Sequence, residues 1–125
     1  MENKNIVVSW SIAYDVIMSY NWEFKDVIKA DNLKNLSASF LVENLKKETW
    51  WTGLNIAYNL SIVWEKSILL SSVWKDFSFD GFFREKTNLK YIYQSSARLS
   101  SSFYIITDSN LGQMNTFYPW AMNES

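Results

Sequence analysis

Two charged side chains stand inside otherwise apolar or small-residue runs: Asp15 within "VSWSIAYDVIMSYNWEFK" (residues 8–25), and Arg98 between Ala97 and Leu99. Brought together inside a closed fold, a carboxylate and a guanidinium form an ion pair or line a polar site. Apart, each is a solvated charge. The other chemical groups are narrow in kind, because the chain has no Cys and no His. Thiolate nucleophiles, Cys-ligated metals and Ser-His-Asp or Cys-His arrangements are therefore excluded within it. The usual neutral-pH switch is missing too. Thirteen acidic residues offer many carboxylate pairs, but none sits in a recognisable acid–base motif or calcium loop, and there is no glycine-rich phosphate loop. On residue types alone, the expectation is a chain that is not an enzyme and carries no cofactor or metal.

What the chain has in abundance is aromatic surface, with seven Trp and seven Tyr. Such rings stack on sugars, bases and apolar ligands, and they anchor protein partners. Trp10, Tyr14 and Trp22 fall on one side of a strict alternation. Trp50 and Trp51 are neighbours that follow Lys46-Lys47-Glu48-Thr49. Adjacent strand residues point to opposite faces, so one of this pair faces away from a core. The expected binding set is Trp10, Tyr14, Trp22, Trp50, Trp51 and Arg98.

Strands are the elements expected to position these groups. From Val8 to Phe24 every second residue is large and apolar, while the intervening set is mostly small or polar. A period of two sustained this far marks a β-strand, either one long curved strand or one that bends and serves two parts of a sheet. Leu54, Ile56, Tyr58, Leu60, Ile62 and Trp64 alternate in the same way, and "SILLSSVWKDFSF" follows. Asp80-Gly81 reads as a type I′ hairpin turn and "FFRE" as its return strand. Lys86-Thr87-Asn88 and Asp108-Ser109-Asn110 read as turns. Residues 31–49 fit a strand through Leu36, Ala38, Phe40 and Val42, or a helix capped by Asp31.

These patterns predict a single β-rich domain over residues 1–125. The fold class expected is all-β, an antiparallel meander of about six to eight strands closing into a small barrel or sandwich. The alternative is α+β with one helix near 31–48. A net charge of −1 with interspersed signs gives no basic stripe, so nucleic acid is not an expected partner. No apolar run reaches membrane-spanning length, and residues 1–5 do not resemble a secretory signal, so a cytoplasmic location is favoured and a membrane partner disfavoured.

The function expected is non-catalytic binding or assembly: an aromatic-rich β surface acting on a protein partner or on a second copy, as in an inhibitor, an immunity-type factor or a viral structural component. A small apolar or sugar ligand bound by Trp and Tyr stacking is the alternative. An outer-membrane β-barrel is the second alternative, since its strands alternate likewise.

Overall fold

The computed structural model describes residues 6–29, 34, 36–49, 51–63, 66–96 and 99–119. Among them are eight strands and two α-helices: β1 (Ile6–Ser9), β2 (Tyr14–Ser19), β3 (Asn44–Glu48), α1 (Thr52–Ile62), β4 (Ser67–Trp74), α2 (Gly81–Lys86), β5 (Thr87–Asn88), β6 (Ile92–Ser95), β7 (Ser102–Thr107) and β8 (Gln113–Tyr118). The class is α/β. One sheet is parallel throughout, with β4 pairing β1, β5 and β6. The other is mixed, in the order β3-β2-β7-β8, with β2 parallel to β7 and both outer pairs antiparallel. Neither closes on itself, so the expected all-β meander, barrel or sandwich is corrected.

The alternation of residues 8–24 divides. β1 enters the parallel sheet, residues 10–13 cross without regular structure, and β2 enters the mixed sheet. Val8, Ile12, Tyr14, Val16 and Tyr20 are buried, whereas Trp10 and Trp22 are 58% and 52% exposed. The aromatic face is thus core only in part.

The main error lies at residues 52–62, where alternation predicted a strand and the chain forms α1. Gly53, Leu54 and Ala57 are the buried residues, and their spacing of three to four is helical. Ile56 and Ile62, which a strand would have turned inward with Leu54, are exposed. Small side chains at 53 and 57 let the helix approach the backbone closely: Gly53 N–H donates to Ser11 O at 3.1 Å. Asp80-Gly81 is likewise no hairpin. Asp80 caps α2, its Oδ1 accepting from Phe83 N–H at 3.1 Å. The expected alternative helix near 31–48 is absent among the described residues, where 44–48 form β3 and 36–43 are irregular.

Helices are what make the parallel pairing feasible. Parallel neighbours need a crossover, and α1 precedes β4 while α2 joins β4 to β5. β4 is paired along both edges and is the central strand, with Ser67, Leu69, Ser71 and Val73 buried on one face and Ser72 on the other. The core gathers Val8, Ile12, Tyr14, Leu54, Ala57, Leu69, Val73, Phe77 and Phe83 into one cluster. No helix among the described residues is long and apolar enough to cross a membrane.

Candidate functional site

Residues 10–13 join the two sheets, and the groups able to do chemistry collect around them. On the side of the parallel sheet, Ser9, Trp10 and Ser11 at the carboxyl end of β1 form one wall of a cleft of about 470 Å³. Leu70, Ser71 and Ser72 of β4, with Tyr91 and Tyr93 from the β6 region, complete it. Open α/β sheets bind ligands beyond the carboxyl ends of their parallel strands, because loops and unpaired backbone groups gather there. Hydroxyls and phenols suit a polar, hydroxyl-bearing ligand.

On the side of the mixed sheet, register lines up one row: Glu48 opposite Asp15, Asp15 opposite Phe103, and Phe103 opposite Phe117. Trp51, the residue before α1, lies over this row. Its indole Nε1–H donates to Asp15 Oδ1 at 2.6 Å, and its ring stacks on Phe117 at 5.2 Å with 11° between planes. Phe103 meets Phe117 edge-on at 6.2 Å. Glu48 is held to the edge by Lys46, with Nζ to Oε1 at 2.6 Å. The row therefore offers one half-buried carboxylate acceptor beside an aromatic platform, aimed at the space in front of the α1 amino terminus.

The opposite face of β2 is structural. Tyr14 stacks on Phe77 at 4.8 Å, and its hydroxyl donates to Asp76 O at 2.8 Å. Lys47 Nζ lies 3.4 Å from the Tyr14 ring centroid. Burial pushes the Tyr14 phenol above its ordinary range, with the Asp76 charge a lesser contribution in the same direction. Ser100 Oγ accepts from Trp74 N–H at 3.1 Å and donates to Asp76 Oδ1 at 2.7 Å, which ties the end of β4 to the start of the mixed sheet. A smaller cavity of about 320 Å³ opens here between Lys47, Asp76, Tyr104 and Tyr118.

The expected binding residues do not converge. Trp10 lines the first cleft, Trp51 covers Asp15, and Tyr14 belongs to the core. Trp22 sits at the far end of the mixed sheet, tilted against Tyr20 at 5.6 Å. Trp50 and Arg98 lie outside the described residues, and with Arg98 the Asp15–Arg98 pair. The Asp15–Trp51 bond and the Phe103–Phe117 platform were not anticipated. Asp15 carried the one usable signal, an acid on the small-residue side of a long strand. Its partners come from the N-cap of α1, a helix that alternation misreads, and from β7 and β8. Among the described residues no three or more Asp, Glu, His or Cys side chains converge as a metal site would need.

No protein-family model matches the sequence. Solved structures do. A nucleoside kinase from Burkholderia thailandensis, in complex with inosine, superposes with a TM-score of 0.69 at 26% identity, over 95% of this chain and 38% of that one. A nucleoside kinase from Methanocaldococcus jannaschii, an archaeal member of the ribokinase family, gives 0.73 at 21% identity over 94% and 37%. Arabidopsis thaliana ribokinase, complexed with ribose and ATP, gives 0.72 at 10% identity over 94% and 36%. The chain thus spans under two fifths of the length of these neighbours. Its fold is that of the ribokinase-type α/β enzymes. The expectation of a non-catalytic protein-binding or ligand-binding barrel, and of an outer-membrane barrel, is corrected: the neighbours are kinases and the architecture is enzyme-like.

Proposed function

We propose that this chain forms the acceptor-binding part of a ribokinase-type kinase, and that the acceptor is a ribonucleoside. The observation that carries the reading is the row on the mixed sheet, where the Asp15 carboxylate stands beside the Phe103–Phe117 platform at the junction of the two sheets. An ionised carboxylate accepts from vicinal hydroxyls such as those of a ribose, and an aromatic face takes a flat base. The 2.6 Å bond from the Trp51 indole marks Asp15 as an acceptor directed into that space. Likeness to a nucleoside kinase structure that holds inosine supports the same choice over a free sugar. In this reading the chain's share of the chemistry is to bind and orient the hydroxyl that receives phosphate. Holding the reacting groups in place is a large part of phosphoryl transfer, because little covalent work falls to the protein.

Calorimetric titration tests this. Inosine should bind saturably, 2′,3′-dideoxyinosine more weakly, and Asp15→Asn should weaken inosine by about tenfold or more, the order expected when a charged hydrogen bond is lost. No heat with inosine, adenosine or ribose would sink the proposal. A polypeptide as long as the structural neighbours should release ADP from ATP only when nucleoside is added.

A further inference from the structure

Glycine and tryptophan are distributed in this chain as though exchanged. Glycine supplies about 7% of residues in ordinary domains, roughly nine for a chain of this size. This chain has three Gly and seven Trp. Tryptophan usually buries its large ring, whereas glycine belongs at turns and helix ends. Here every described Trp sits at the end of an element or in a connection. Trp10 follows β1 and Trp22 lies in the bend after β2, both more than half exposed. Trp51 is the N-cap of α1 and makes no side-chain cap bond. That position favours Ser, Thr, Asp, Asn or Gly. Trp74 is the last residue of β4. No described Trp belongs to the core cluster.

The three Trp outside the described residues continue the pattern in sequence. Trp50 precedes Trp51, and Trp120 follows Pro119. Trp64 comes directly after Val63, the C-cap of α1, and the residue after a C-cap is where glycine is most enriched. Close packing adds a local argument. A Cβ at Gly53 would stand 3.0 Å from Ser11 O and 3.2 Å from Trp10 O, so backbone meets backbone here with no room to spare. Trp10 and Trp51, two of the bulkiest side chains possible, flank that contact.

Composition supplies the link between the two residues. The abundance of Asn, Lys, Ile, Tyr and Ser suits an AT-rich gene. UGA differs from the glycine codon GGA only in its first base and from the tryptophan codon UGG only in its third, and genetic codes differ in how they read it. We propose that all seven Trp positions are UGA codons decoded as glycine in the cell that makes this protein, which then has ten glycines and no tryptophan. The total matches the glycine content of an ordinary domain, and it places the residue where strand ends and helix caps call for it.

The substitution also opens the candidate site, a consequence that rests on the nucleoside reading above. Without the indole at position 51, Asp15 Oδ1 loses its donor and the Phe117 ring loses its stacked cover. Both become available to a ligand. Without the indole at position 10, the cleft beside Ser9 and Ser11 widens.

Sequencing the gene and mass spectrometry of the protein from its own cells decide the matter. The tryptic peptides 5–25, 48–66, 67–75 and 99–125 together carry all seven positions. We expect TGA at each codon, and each peptide lighter by one Trp-to-Gly difference per position. A TGG codon, or tryptophan in any of these peptides, overturns the proposal. A recombinant chain with all seven positions changed to Gly should bind inosine at least tenfold more tightly than the chain with Trp. If the peptides carry glycine but that form ignores inosine, the decoding stands and the nucleoside reading fails.

Discussion

Asp108 closes the β7–β8 connection by accepting from three backbone N–H groups: Asn110 and Gly112 on Oδ1 at 3.0 and 2.7 Å, and Phe24 on Oδ2 at 2.9 Å. The bond from Phe24 is the largest cause of a carboxyl pKa held below the ordinary value; burial opposes it, and the other two amides and Lys25 assist. A lowered folded-state pKa means this stability is fully present above the unfolded value of 3.8 and is lost as pH falls through the folded one. Asp108→Asn should therefore lower the melting temperature at neutral pH, and the gap from wild type should narrow in acid. A gap independent of pH would show that the charge is irrelevant. Gly53 gives a second test at this scale. Alanine normally stabilises a helix interior by about 1 kcal/mol over glycine. Here the added Cβ meets Ser11 O at 3.0 Å, so Gly53→Ala should lower the urea midpoint instead.

At the scale of elements, alternation was legible where a strand buries one face, as in β2, and misleading in α1. "LNIAYNLSI" satisfies both periods, because apolar residues at 54, 56, 58, 60 and 62 coexist with small ones at 53 and 57. What decides is the docking of Gly53 on Ser11 O and the burial of Ala57, neither of which local pattern reveals. Asp80-Gly81 was recognised as special but assigned to the wrong device, since the same dipeptide serves a hairpin or an N-cap. Asp80→Ala should cost about 1 kcal/mol in urea unfolding, the usual value of a lost cap. Leu69→Ala, in the fully buried centre of β4, should cost about 2–5 kcal/mol. Asp15 was visible as an acid on a small-residue face. Its site was not, because Trp51, Phe103 and Phe117 come from three other parts of the chain and meet only through sheet register and the seating of α1.

For the whole molecule, parallel pairing was the missing information. A list of strands does not state its own order, and meander was the simplest order to assume. The real arrangement predicts uneven protection. β4 is paired on both sides and buried along one face, whereas β3 and β8 are the outer strands of an open mixed sheet. Native-state hydrogen exchange should find β4 amides slowest and those of β3 and β8 fastest. Uniform protection across both sheets would contradict the described topology.

The junction at residues 10–13 has a further consequence, for how the chain acquires its shape during synthesis. β1 must wait for β4, since Ile6 pairs with Ser67, and β2, which can pair with β3 first, must wait for its parallel partner β7, since Tyr14 pairs with Ser102. Both are long loops to close, and both are closed by strands contiguous in the chain. A nascent polypeptide emerging from the ribosome would thus hold β1 unpaired until β4 emerged, and the β2–β3 pair without its third strand until β7 emerged. Slow folding and a need for chaperone shelter are the expected result.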